Sequence, residues 1–394
     1  MASHPAAYDL TPAATIALLG ALLAALPLAW WWFRHRGAGT RGRLHALTVL
    51  TLFLTFDLVL FGAFTRLTDS GLGCPDWPGC YGSASPLGAH GDIQSAQTAL
   101  PSGPVTHGKA WVEMTHRYLA TGVGALITLL AAWSWWAKRR AQETISPWWA
   151  SVTLVWVCLQ GAFGALTVTM KLYPAIVTAH LLGGLMLLAL LVVQSESYRP
   201  VPLALPGSLR RGVSIVALLA VVQIALGGWV STNYAVLACR DFPTCQGAWW
   251  PAMDFEHGFT LLRELGAGKD GGYLPFAALT AIHVTHRIGA AVLLTALLWL
   301  AWRLHTRGEP ASRHWAIALA GTALWQLASG LSNVVMGWPL LSALAHTGGA
   351  ALLVVLLTTL IMRMLASLKQ GRKDDPAAQL HESTRVRVAA GGAS

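Results

Sequence analysis

Long apolar runs, separated by short polar connections, dominate the chain and set its elements. A helix needs roughly 20 apolar residues to cross a hydrocarbon core. Such runs read at about 12–33, 45–68, 111–137, 148–170, 173–194, 209–231, 276–302, 313–337 and 340–366. The pattern predicts nine membrane-spanning helices and an all-α polytopic fold, because backbone N–H and C=O groups in lipid must be paired within their own segment. From about residue 367 the chain is polar and charged and reads as a disordered tail.

The runs also repeat. Cys74 and Cys80, in CPDWPGC, stand 165 residues before Cys239 and Cys245, in CRDFPTC. EMTHR at 113–117 stands 170 residues before HVTHR at 283–287, and the stretch Gln160 to His180 matches Gln326 to His346 with the same 20-residue separation. A repeat unit of four spans enters the membrane twice in the same direction, which predicts two pseudo-symmetric four-helix bundles in parallel repeat. The expected division is an extra N-terminal helix and basic loop over 1–43, a first half over 44–200, a second half over 201–366 and the tail over 367–394. The extra helix is read as a packing or insertion element.

Composition agrees with a life in lipid. Of 394 residues, 55% are hydrophobic and 11% charged, against about 25% charged in a soluble domain. The net charge of +10 does not point to nucleic acid, because its basic clusters fall in connections. Arg34, Arg36, Arg41 and Arg43 follow the first span, Lys138 to Arg140 the third, and Arg303 and Arg307 the seventh. Every second connection is basic, so positive-inside bias places the N-terminus outside and the C-terminus in the cytoplasm. The first residues show neither a basic signal region nor an Arg-rich transit pattern, which makes a bacterial inner membrane the expected location.

Four of the 14 histidines occupy repeat-matched membrane positions: His116 and His180, then His286 and His346. Each lies toward the outer end of a span, so each half offers two imidazoles at similar depth on parallel helices. That arrangement suits axial ligation of a flat iron macrocycle. Hydrogen bonding to a neighbouring carbonyl is the plain alternative for any one of them, but ionisable residues in a membrane are costly and tend to be functional. Zinc or copper would want a Cys or carboxylate cluster that the spans lack, and without C-x-x-C-H the heme would be non-covalent. His283 shares a helical face with His286 and is read as supporting it, replacing it as ligand, or packing.

Where the second half has His283, the first has Glu113, one turn before His116. A carboxylate there can relay protons, which makes the first half the expected reaction site; a solvated residue near the helix start is the alternative. Arg66, Arg117 and Arg287 sit near outer span ends, where their forked donors suit heme propionates or lipid phosphates. Asp57, mid-span, suits a proton route or an inter-helix hydrogen bond. The outer loops carry the expected disulfides Cys74–Cys80 and Cys239–Cys245, either structural or redox-active, and Cys158 is read as packing.

GAFTRLTDSGLGCPDWP, EMTHR, HVTHR and the later membrane histidines together resemble the heme A synthase family over about 45–366. The resemblance implies an eight-helix protein that oxidises the C8 methyl of heme O to the formyl of heme A for heme-copper terminal oxidases. It implies heme b between His286 and His346, substrate heme near His116 and His180, and Glu113 as the essential acid; two loop cysteine pairs are similar to bacterial members. The implied partners are heme O, membrane lipid, heme O synthase and terminal oxidase assembly factors, with the electron donor and any homo-oligomer left open. A b-type cytochrome that carries electrons without chemistry on heme is the competing reading. A transporter would want broken span pairs, and a prenyl transferase Asp-rich motifs; neither is present in the spans.

Overall fold

The computed structural model describes residues 10–140 and 145–373, the last two by backbone alone. Eleven α-helices form among the described residues. They are α1 Thr11–Arg34, α2 Thr40–Leu67, α3 His90–Ala99, α4 His107–Arg139, α5 Trp148–Thr169, α6 Pro174–Tyr198, α7 Gly207–Thr232, α8 Phe255–Gly258, α9 Phe276–His305, α10 Pro310–Val335 and α11 Leu340–Lys373. Strands are absent from the described residues except for isolated bridges in the loops. The chain is a multi-pass membrane protein.

Among the described residues, eight helices are long and apolar enough to cross a membrane. Nine were expected, and the difference is α10: it is long enough, but His314, Trp315, Gln326, Ser329, Ser332 and Asn333 dilute its apolar character. It nevertheless packs between α9 and α11 as α5 packs between α4 and α6. Helices α2, α4, α5 and α6 close one four-membered ring, and α7, α9, α10 and α11 close another in the same order. The rings meet where α6 and α2 lie against α11 and α7. Residues 367–373, expected to be disordered, instead continue α11 to Lys373. Leu, Lys, Gln and Arg are good helix formers, and basic groups suit a helix C-terminus. The remainder of the expected tail lies outside the described residues, as does the N-terminal stretch 1–9.

Helix α1 lies against α4, outside the rings. It buries Ile16, Gly20, Ala24 and Trp31, one stripe of a 3.6-residue period. Gly20 and Gly122 let the two backbones touch: a Cβ on Gly20 would lie 2.6 Å from Thr121 Cβ, and one on Gly122 would lie 3.0 Å from the Gly20 carbonyl. Close approach through small residues is how membrane helices gain packing energy when lipid is as apolar as their side chains. Trp31 meets Trp133 edge to face at 5.5 Å.

The two largest apolar clusters sit toward the basic ends of the rings. In the second ring the cluster takes in Leu209, Val213, Val216, Leu297, Leu300 and Leu357. In the first ring a buried polar network crosses it. Gln194 of α6 donates to Thr48 of α2 and accepts from Thr153 of α5, both at 3.3 Å. Tyr198 meets Ser134 of α4 at 3.1 Å. A fully paired network of this kind specifies which helices are neighbours. Cys158, expected to pack, is exposed on the outward face of α5, because a helix that is apolar all round does not reveal in its sequence which face is covered.

Candidate functional site

The four histidines lie near the N-terminal ends of α4, α6, α9 and α11, all at the end of the bundle that carries the disulfide loops. All four histidines are half-buried. His116 and His180 belong to one ring of helices, His286 and His346 to the other, each pair on helices that stand across the ring from one another.

A glycine on the adjacent helix faces each imidazole. A Cβ at Gly62 of α2 would come within 3.1 Å of His116 Nε2. At Gly164 of α5 it would come within 3.3 Å of His180 Cε1, and at Gly227 of α7 and Gly330 of α10 within 3.1 Å of the Cε1 atoms of His286 and His346. Each contact is tighter than an ordinary side chain tolerates, so only glycine leaves the ring where it stands. Phe61 stacks on His116 with ring centroids 6.3 Å apart.

The loops above the histidines are built alike. Cys74–Cys80 and Cys239–Cys245 are disulfide-bonded, with Cα atoms 4.8 and 4.7 Å apart. Asp76 accepts from the N–H groups of Tyr81 and Gly82 at 2.6 and 2.7 Å. Asp241 accepts from Gln246 and Gly247 at 2.7 and 3.0 Å and from the Thr244 hydroxyl at 2.5 Å. Gly82 and Gly247 follow at φ of +71° and +74°, a left-handed conformation that favours glycine. The hydrogen bond from Thr244, then those from the Gly247 and Gln246 amides, push the Asp241 carboxyl down to about 2.

Arginine ties each loop to its helix. Arg117 donates to the carbonyls of Asp76 and Pro78, both at 3.0 Å, and to that of Gly79. Arg287 donates to Thr244 and Cys239 carbonyls at 2.8 and 3.0 Å and to His283 Nε2 at 3.3 Å. Arg66 donates to the Ser231 carbonyl at 2.5 Å and to Asp69 at 3.2 Å, and it lies over the Tyr234 ring, so it joins the two halves. These guanidinium groups, expected to reach propionates or lipid phosphate, are engaged with loop carbonyls and carboxylates.

Glu113 is 4% exposed, which rules out the solvated helix-start alternative. One oxygen accepts from Arg117 at 2.5 Å and the other from the Cys74 N–H at 2.8 Å, so the carboxylate joins α4 to the disulfide loop. His283, at the matched place in α9, is also buried. Asp57 is exposed on α2 and its carboxylate makes no hydrogen bond among the described residues. No three of His, Cys, Asp and Glu converge into a metal cage among the described residues.

Three glutamines, two of them read from the sequence only as landmarks of the repeat, stand against histidines. Gln160 donates to the His180 carbonyl at 2.6 Å and lies 3.0 Å from His180 Nδ1. Gln223 donates to the His286 carbonyl at 3.0 Å and lies 2.9 Å from His286 Nδ1. Gln326, with its amide nitrogen turned to His346, donates to that carbonyl at 3.0 Å and lies 3.1 Å from Nδ1. The signal was in the chain as Gln-x-x-x-Gly, at 160–164, 223–227 and 326–330, one turn apart on the helix that faces a histidine.

The COX15-CtaA family, described as cytochrome oxidase assembly protein, matches residues 45–358. The chain belongs to that family. It is 38% identical over 315 residues to the heme A synthase of Shewanella oneidensis, a match that covers 79% of this chain and 93% of that protein. Heme A synthases of Halalkalibacterium halodurans and Mesorhizobium japonicum are 27% and 28% identical, over 83% and 82% of this chain and 95% and 90% of theirs. The family match takes in both histidine pairs and both disulfide loops, and leaves α1 outside it.

Proposed function

We propose that this protein is a heme A synthase, an oxidoreductase that converts the C8 methyl of heme O to the formyl of heme A for heme-copper terminal oxidases. The observation that carries the reading is the histidine arrangement: two half-buried imidazoles across each four-helix ring, each opposite a glycine that leaves it room. The family membership and the relatives' names support the same chemistry.

The donor set fits heme, since each ring supplies two neutral nitrogen donors and no competing thiolate or carboxylate cage is found among the described residues. In this reading residues 44–200 form the half that takes substrate heme O at His116 and His180. Residues 201–366 form the half in which His286 and His346 hold heme b. The two halves are copies of one duplicated unit in parallel repeat. Heme b, when bound, supplies one-electron redox chemistry at an imidazole-tuned potential. Glu113 holds or hands on a proton one turn from His116, with Arg117 and the Cys74 N–H each occupying one of its oxygens. His283 takes the place of that acid at the matched position in the other half. Arg117 and Arg287 tie the cap loops to their helices, Arg66 ties the two halves together, and all three would pair with heme propionates. The protein sits in the bacterial inner membrane with the disulfide end periplasmic and the basic connections cytoplasmic.

Purified protein should give the pyridine hemochrome of a b-type heme, and cells deprived of the protein should accumulate heme O and lose heme A. Protein free of iron porphyrin, or unchanged heme A in such cells, would remove the proposal.

A further inference from the structure

Two open grooves flank the basic end of α7. One, of about 310 Å³, runs between α7 and α9, with Arg211, Gly212, Ile215, Ala296 and Trp299 along it. The other, of about 540 Å³, runs between α7 and α11 and is lined by Arg210, Arg211, Ser214, Ile215, Met364 and Leu368. Arg211 and Ile215 line both, so they form the ridge that parts the grooves. A Cβ on Gly212 would lie 2.9 Å from Trp299 Cζ3, so the glycine lets the indole stand close against α7 and wall the first groove.

In the first half the matched face is covered. By the offset of 165 residues Arg211 and Ile215 correspond to Ala46 and Leu50, and by that of 170 Ala296 and Trp299 correspond to Leu126 and Leu129. Those four residues pack in one cluster with Ala24, Leu28 and Trp31 of α1. The second half has no counterpart of α1 among the described residues. There Ile215 and Trp299 are 58% and 44% exposed, and a cation stands where the first half has Ala46. Beyond Arg211, the residues Ile215, Leu218 and Val222 continue one exposed stripe at helical spacing. From Arg211 to Val222 that stripe runs ~16 Å at the rise of an α-helix, about half of a ~30 Å hydrocarbon core, which is the depth of one leaflet.

Charge selects the occupant. Arg307 and Arg363, at the same end of the bundle, are paired with Glu309 and Glu196. Among the described residues the side chains of Arg210 and Arg211 make neither an ion pair nor a hydrogen bond. The α1 helix of a second copy does not suit them, because it has no carboxylate and ends at Arg34. We propose that an anionic glycerophospholipid occupies this face, its phosphate at Arg210 and Arg211 and its two acyl chains in the two grooves on either side of Ile215. Basic pockets between membrane helices recognise acidic lipid headgroups in this way. An ethanolamine lipid fits less well, because its ammonium group would meet two unpaired guanidinium groups. The lipid does for the second half what α1 does for the first: it covers the seam between the first two helices of the ring. The site lies at the opposite end of the bundle from the four histidines and is independent of heme.

The test is native mass spectrometry of the full-length protein released from nanodiscs of phosphatidylglycerol and phosphatidylethanolamine in equal parts. Wild type should carry one phosphatidylglycerol in preference to phosphatidylethanolamine. Arg210→Gln combined with Arg211→Gln should weaken that adduct about thirtyfold, since each basic group at a membrane surface contributes about 1 kcal/mol. Arg34→Gln combined with Arg36→Gln removes two charges from the same end of the bundle and should leave the adduct unchanged. Ser214→Phe, which fills the second groove, should lose the adduct with both arginines in place, a change that diffuse attraction to a basic surface would not produce. Equal retention of the two lipids, an adduct unmoved by the Arg210 and Arg211 changes or by Ser214→Phe, or an equal loss in the Arg34 and Arg36 variant would overturn the proposal. Displacement of the lipid by excess inorganic phosphate would assign the site to the free anion, and a protein dimer in place of the adduct would assign the face to a second copy; either result would also overturn it.

Discussion

Glu113 and Arg117 form an ion pair whose side chains are 5% and 10% exposed, and this burial makes the pair sensitive to the loss of one member. Removing one partner of a buried pair costs about 3–5 kcal/mol, because the other charge is left without compensation, whereas replacing both by apolar groups is often close to neutral. In this protein the double replacement cannot be fully neutral. The Cys74 N–H and the carbonyls of Asp76, Pro78 and Gly79 would lose their partners, at about 1 kcal/mol for a typical hydrogen bond. Glu113→Leu and Arg117→Met should each therefore cost about 3–5 kcal/mol, while the double variant should cost less than their sum by at least ~2 kcal/mol. For a chain of this size 1 kcal/mol corresponds to roughly 2 °C in Tm. Each single variant should melt about 6–10 °C below wild type by that scale. Tryptophan fluorescence in detergent is the assay, with 19 tryptophans as reporters. Single variants within 2 °C of wild type, or a double variant that is strictly additive, would refute the view that this pair clamps the cap loop to α4.

Gly227→Val should remove the heme of the second half without loss of helix content by circular dichroism, because a Cβ already comes within 3.1 Å of His286 Cε1; a full heme complement would contradict this. Gly20→Leu should free α1 from α4, since its Cβ would meet Thr121 Cβ at 2.6 Å and the Gly122 nitrogen at 2.9 Å. Faster tryptic cleavage at Arg34, Arg36 and Arg41 would report it, and an unchanged rate would refute it. Asp241 is held at about 2, below its ordinary 3.8, so its support of the second loop is present above 3.8 and is lost as pH falls toward 2. Phosphine reduction of Cys239–Cys245 should accelerate through that window in wild type, whereas Asp241→Asn should be fast and flat; parallel profiles would argue against the carboxylate as the support.

Much of this protein was legible in order along the chain. Membrane spans are a local property: a segment long and apolar enough to cross must satisfy its backbone by itself, so eight of the nine expected spans stand as membrane helices. The matched histidines and the short cysteine loops were visible for a similar reason, since a loop closed over six residues of separation depends little on what lies elsewhere. Facing relationships were not visible, because an apolar helix in lipid lacks the polar stripe that marks an exposed side. That is why Cys158 was taken as packed when it points outward. It is also why Glu113 could be read as solvated when Arg117 and the Cys74 N–H enclose it.

The arginines show the same division. Their place at the disulfide ends of helices could be read directly, but their acceptors are carbonyls some 40 residues away for Arg117 and 43 to 48 for Arg287. The chain alone determined which segments are apolar enough to enter the membrane, that histidines and cysteine pairs recur at matched positions, and which histidines are available. The tertiary structure decided which rings meet a glutamine amide: His180, His286 and His346 do, whereas no hydrogen bond reaches the His116 ring among the described residues. Such contacts join neighbouring helices, and their strength comes from orientation across a gap that no single helix contains.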